Sequence, residues 1–370
     1  MPLDLKPLTA LRFAAASWVV CYLYWPDLSS GAMPQIVGKG YLGVEMFFVL
    51  SGFILSHVYL QAFGEGRFSY ATFLWARVSR IYPLHLTCIL ALGALAAAAA
   101  AAGIALSGEM VNWAALPASL LALHAWGLAP ASAWNHPSWS ISAEFFAYLC
   151  FPAFAWTAWR LRDRPKMAVV GALILLFGLY AAFKALAGFP LSEATFRWGA
   201  LRIVPCFTYG CAVYLLWRSG AVRTRIQATF WAAVLAALVP TLAQIGAPDE
   251  ALVTVFGGVI LMLAGLTDTG SKLLSGRVGV WLGEVSYAVY MTCFPWQLVF
   301  THGARKVLHL NDGPLPPVLW LAMLAGVVPV AACAHYLIER PARTAMRRWA
   351  DRGFPNPFAA RSLSASNEVT

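Results

Sequence analysis

Leu8 to Tyr24 reads LTALRFAAASWVVCYLY, an apolar run with a single charged residue, Arg12. A run of this kind is a membrane helix, and a charge inside it costs at least a few kcal/mol unless something pairs with it or gives it a use. Eleven residues on, at about 100° per residue, the helix has made three turns plus about 20°, so position 23 shares the face of Arg12, about 16 Å further along the axis. Position 23 is Leu23. A helix with an arginine near one end and a same-face position near mid-membrane is placed to join a site on one side of a bilayer to a site on the other.

The rest of the chain agrees with a membrane setting. Of its 370 residues 60% are hydrophobic and 11% charged, against roughly 45–50% and 25% for soluble domains. Many of the 16 Trp stand near the ends of apolar runs, as aromatic belts do. The net charge of +10 is spread over short loops rather than gathered in a stripe, which argues against nucleic acid and for a topological signal. The seven cysteines all fall in apolar segments without CxxC or His/Cys spacing, so neither a metal nor a disulfide is expected. The first run lacks a basic leader and a small-residue cleavage site and reads as a retained helix.

Apolar runs long enough to span occur at 8–26, 42–63, 81–103, 139–159, 167–187, 199–217, 228–246, 250–267, 280–301 and 315–338. The shorter run 111–127 holds Asn112, Pro117 and His124. If that run does not span, the clusters Arg77 and Arg80, Arg160 to Lys166, Arg218 to Arg225 and Arg340 to Arg361 all fall on one side, and both termini are cytoplasmic. The expectation is an all-α polytopic membrane protein with ten transmembrane helices and one interfacial or re-entrant outer segment. Residues 1–350 form the membrane domain, and 351–370 a disordered cytoplasmic tail.

Polar residues then sort by depth. Arg77 and Arg80 share a helix face on the side of Arg12 and are able to grip one anion together. At the outer side Ser138, Trp139, Ser140 and Glu144 open the fourth span, and Arg202, entering the sixth span from that side, is the natural partner of Glu144. Ser51-Gly52 in the second span permits close backbone approach or a break.

Seven stretches run in order along nearly the whole chain: Leu11 to Val20, Gly43 to Phe53, Arg77 to Pro83, Pro137 to Tyr148, Arg202 to Gly210, Ser286 to Tyr290, and Ile338-Glu339-Arg340-Pro341. In these the sequence resembles acyltransferase family 3, the integral membrane acyl-CoA-dependent O-acyltransferases. The resemblance implies an acyl-CoA co-substrate bound from the cytoplasm, no metal, a carbohydrate or lipid-linked glycan hydroxyl as acceptor, and a place among the lipids of a bacterial inner membrane. Carried onto this sequence, Arg12, Arg77, Arg80, Ser51 and Gly52 would hold acyl-CoA. Ser138, Trp139, Ser140, Glu144 and Arg202 would meet the acceptor, and Arg12, Glu144 and position 23 would serve catalysis.

The family carries a histidine, as base or acyl-bearing group, where this chain has Leu23, and commonly another where it has Cys293. Leucine neither accepts a proton nor carries an acyl group, and losing a general base costs about 10²–10⁴ in rate. Tyr24 is turned away by about 100°. His57, His85 and His335 lie in the cytoplasmic halves of their helices, where one could take over the base's role although satisfied interior or interfacial residues are the expectation, while His136 stands beside the Pro137 motif, where it is able to meet an acceptor. The expected activity is O-transfer of acetyl or succinyl from cytoplasmic acyl-CoA, with this chain slow or disabled through Leu23. A non-catalytic acyl-CoA- or glycan-binding homologue and a transporter stay open as alternatives, the transporter weakened by the lack of any internal repeat.

Overall fold

Helix covers most of each of the ten apolar runs in the computed structural model, which describes residues 5–101, 103, 111–130, 134–266 and 275–353. In chain order the elements are α1 (Lys6–Leu28), α2 (Gln35–Gly38), α3 (Gly43–Gly64), α4 (Tyr70–Ala101), α5 (Leu116–Leu120), α6 (Trp139–Leu149) and α7 (Phe151–Arg160). There follow α8 (Pro165–Ala187), α9 (Gly199–Arg218), α10 (Arg225–Gln244), α11 (Asp249–Ala264), α12 (Arg277–Leu308), α13 (Pro317–Ala334) and α14 (Arg340–Gly353), with a π-turn over His335–Glu339 before the last. Among the described residues there is no strand.

Local chemistry sets many of the ends. Proline occupies the first turn of α1, α8 and α13, where its missing N–H costs nothing. Thr224 caps α10 by accepting the Gln227 N–H at 3.2 Å. Gly188 ends α8 in the left-handed conformation at φ 80°.

The expected count of ten spans is not reached. Among the described residues seven helices are long and apolar enough to cross a membrane, eight if one bent pair is counted. The pair is the stretch His136–Leu149 with α7, which meet at 57°. The break falls at Cys150, beside Pro152 in the first turn of α7, where the proline ring and its missing N–H interrupt the ladder. Helix α11 stops at 16 residues, short of the roughly 20 a bilayer core asks for. Helix α12 is long, but Glu284, Gln297 and its tyrosines lower its hydropathy. Segment 111–127 forms only a 3-10 turn, α5 and further turns, too short to span, in keeping with the expectation. Of the tail 351–370, for which disorder was expected, residues 351–353 continue α14, and the rest lies outside the described residues.

Small residues bring the site-bearing helices together. A Cβ on Gly52 would lie 2.1 Å from the Phe207 carbonyl oxygen, and one on Gly210 would lie 1.9 Å from that of Val49. Helices α3 and α9 therefore cross backbone to backbone. A Cβ on Gly283 would lie 1.9 Å from the Thr9 carbonyl oxygen, so α1 and α12 meet in the same way. The Tyr287 hydroxyl on α12 donates to the Ile81 carbonyl of α4 at 2.5 Å. These contacts gather α1, α3, α4, α6, α9 and α12 around one polar interior. Helices α8 and α10 turn large apolar side chains outward, among them Ile174, Phe177, Ile226 and Phe230, as a lipid-facing ring does.

Candidate active site

Three cavities lie in series through the helix bundle. The middle one, about 90 Å³, is lined by Arg12 of α1, Ser51 of α3, Arg77 and Arg80 of α4, Glu144 and Tyr148 of α6, and Tyr287 and Tyr290 of α12. The second, about 440 Å³ and mostly polar, shares Arg12, Arg80 and Tyr287 with it and adds Glu284, His335, Glu339, Arg340 and Arg343. The third, about 300 Å³, shares Val44 and Tyr290 with the middle one and adds Leu23, His136, Trp139, Arg202 and Glu193 among others. Arg12 and Leu23 thus line the two ends of the series from one face of α1.

The arginines are not spent on the protein. Among the described residues Arg12 and Arg80 make no ion pair or hydrogen bond, and Arg77 reaches only the Tyr59 hydroxyl, at 3.3 Å, with its Nε buried and unpartnered. Guanidinium groups held in a bundle interior without partners repel each other and are costly; an anion lodged among them removes both penalties. Glu144 is the local counter-charge. It accepts from Ser51 Oγ at 2.7 Å and from the Tyr148 hydroxyl at 2.5 Å.

At the wide mouth the π-turn holds His335 Nδ1 2.9 Å from Glu339 Oε2, with Arg343 3.7 Å from the other carboxylate oxygen. Such turns insert one residue into a helix and are frequent at functional sites. Helix α14 follows and docks on α4, where Trp75 donates to the Met346 carbonyl at 2.8 Å and meets the Trp349 ring at a tilt, centroids 5.0 Å apart.

In the third cavity Arg202 is fully buried and ion-paired through Nε to Glu45. Its Nη1 donates to the Ala194 carbonyl at 2.9 Å, and its guanidinium lies 4.5 Å over the Trp139 ring. The remaining Nη2 is buried without a partner, as is Glu45 Oε2. Ser140 Oγ donates to the Tyr290 hydroxyl at 2.9 Å, which donates to the Pro137 carbonyl at 2.7 Å. Ser138 is turned inward to the Asn135 carbonyl and to His124 Nε2, 3.1 Å away.

Several expectations change against this geometry. Glu144 does not pair with Arg202: Arg202 takes Glu45, and Glu144 joins the arginines of the middle cavity. Of the Ser51-Gly52 pair only Ser51 lines a cavity, Gly52 being used in the α3–α9 crossing. The hydroxyl of Tyr24 is occupied, donating to the Cys293 carbonyl at 2.7 Å. His57 packs between Tyr214 and Trp217, and His85 bonds the Ser119 carbonyl. His335, expected to be a satisfied interior residue, has its glutamate partner but also lines the mouth.

The family model described as an acyltransferase domain matches residues 7–336, nine tenths of the chain. The chain belongs to acyltransferase family 3. It is 29% identical over 372 aligned positions to the acyltransferase MdmB of Streptomyces mycarofaciens, with 91% of each chain covered. It is 24% identical to the putative peptidoglycan O-acetyltransferase YrhL of Bacillus subtilis, over 82% of this chain and 51% of that protein. A shorter match, 47% over 59 residues, joins it to protein 2 in the picA locus of Rhizobium radiobacter, covering 16% of this chain and 29% of that one. No solved structure matches. The chain is therefore an integral membrane acyltransferase by family.

Sequence reasoning missed Glu45, Tyr148, Tyr290 and the trio His335, Glu339 and Arg343 as site residues. A signal was present for several. Glu45 is a carboxylate inside an apolar run, Tyr290 closes one of the seven stretches, and Glu339 sits in another.

Proposed function

We propose that this protein transfers a small acyl group, acetyl or succinyl, from cytoplasmic acyl-CoA to a hydroxyl of an extracytoplasmic or lipid-linked carbohydrate. The observation that carries this reading is the pair Arg12 and Arg80, unpartnered among the described residues and lining both the wide mouth and the middle cavity. Phosphates at the mouth would neutralise them, while the thioester arm reaches up toward Tyr290. The acceptor enters the third cavity from the other side, where Arg202 Nη2 offers a free donor. The mouth adjoins the start of α1 and the basic helix α14, and the excess of arginines there supports a cytoplasmic face for it and for both termini. The name of the Bacillus relative, a putative peptidoglycan O-acetyltransferase, supports a glycan hydroxyl as the class of acceptor.

The test is binding and turnover of labelled acetyl-CoA by the purified protein in nanodiscs. Arg12→Ala and Arg80→Ala are each expected to weaken acetyl-CoA binding about tenfold, the worth of one charge-assisted contact. Arg225→Ala, on a helix remote from the cavities, is expected to leave it unchanged. Equal binding by all four proteins would remove the donor site from these cavities. Flux of a sugar across proteoliposomes without acyl transfer would favour the transporter instead.

A further inference from the structure

Leu23 supplies no proton acceptor to the third cavity, yet an alcohol attacking a thioester must lose its proton. We infer that His136 is the general base that accepts it, an assignment that rests on the acyl transfer proposed above. Three observations carry it.

His136 lines the same cavity as Leu23 and Arg202. Among the described residues its imidazole makes no hydrogen bond; it is held by edge contact with the Phe196 ring, centroids 5.5 Å apart. Of the other polar groups around the cavity, Arg202 is committed to Glu45, the Tyr290 hydroxyl donates to Pro137, the Tyr41 hydroxyl and Ser192 Oγ donate to Asp249, Glu193 is exposed, and the Tyr22 and Thr195 hydroxyls are poorer proton acceptors than a neutral imidazole.

The backbone around His136 is fixed on both sides. Asn135 Nδ2 donates to the Met291 carbonyl at 2.9 Å, and the Pro137 carbonyl is held by Tyr290, so both flanking residues are tied to α12. Trp134, two residues back, has φ 63°, a left-handed conformation that a bulky residue adopts only when its surroundings impose it. That turn, with Trp134 Nε1 donating to the Asn112 carbonyl at 3.0 Å, swings the chain so that His136 enters the cavity.

The step balances. The acceptor oxygen attacks the thioester carbonyl carbon, a C–O bond forms and the C–S bond breaks. The hydroxyl proton passes to a ring nitrogen of His136, and the imidazolium then gives it up to the departing CoA thiolate, so that the histidine ends neutral and CoA leaves as the thiol. Free Arg202 Nη2 orients a second oxygen of the acceptor.

Wild type, His136→Gln, His136→Ala, Arg225→Ala and Leu23→His, each in nanodiscs, are to be compared for hydrolysis of radiolabelled acetyl-CoA and for transfer to methyl β-glucoside. The expected result is a rate in wild type and in the remote control Arg225→Ala that falls about 10²–10⁴-fold in both His136 variants. Acetyl-CoA affinity stays unchanged, and added imidazole partly restores His136→Ala. His136→Gln at the wild-type rate overturns the assignment, and so does a wild type no faster than buffer. If in the second case Leu23→His is active, the chain is a disabled acyltransferase and the proposed function stands. If no form binds acetyl-CoA, that function falls as well.

Discussion

Arg202 is the largest side chain wholly removed from the surface, and its charge survives there because Glu45 and the Ala194 carbonyl meet it and the Trp139 ring lies beneath. Breaking such a pair from one side leaves the other charge stranded in the interior. Arg202→Met is therefore expected to destabilise the protein by about 3–5 kcal/mol, and Glu45→Gln added to it to recover part of the loss. Thermal unfolding of the two variants in detergent checks the order. The same residue shows the limit of reading depth from sequence. Hydropathy gives how far a charge lies from an interface, and it placed Glu144 and Arg202 at similar depths. It does not give the direction each faces once six helices have packed, and Glu45, three residues into α3, is the one that faces Arg202. Where a helix period alone decided the face, as for Arg12 and Leu23, the reading carried through to the cavities.

At the level of elements, the α3–α9 crossing depends on two glycines whose backbones touch. Gly52→Ala places a methyl group inside the Phe207 carbonyl and is expected to cost about 1–3 kcal/mol, more if the helices cannot part. Gly178→Ala, in α8 with open space around it, is expected to be neutral or to stabilise by up to about 1 kcal/mol, since alanine is the better helix former. Melting temperatures of the pair test whether close approach, rather than glycine content, matters. The helices themselves were legible because each apolar run is long and bounded by proline, glycine or charge. Their fitness as spans was less so: the turn at Cys150 and the early end of α11 come from backbone geometry that a hydropathy window averages away. The π-turn at His335–Glu339 leaves no mark in composition either, since one inserted residue changes facing without changing hydropathy.

For the molecule as a whole, the three cavities impose a direction. Acetyl-CoA supplied to inside-out vesicles is expected to be consumed and the same reagent supplied to right-side-out vesicles to be untouched, because the arginine-lined mouth opens beside α14. Equal consumption from both sides would contradict the proposed orientation. A passage approached from both faces, as the proposed reaction requires, would also have to be insulated. Tyr290 and Val44 stand where the middle and third cavities meet, and the chain of bonds from Ser140 through Tyr290 to Pro137 ties that wall to the start of α6. Replacing Tyr290 with alanine would join two water-accessible chambers into one pore, and the expected sign is ionic conductance across a planar bilayer where the wild type gives none. On the proposed two-sided reaction, the tyrosine would then be an electrical seal for the cell as much as a wall of the reaction chamber: a catalyst that worked through a membrane would have to keep its two solvents from ever meeting.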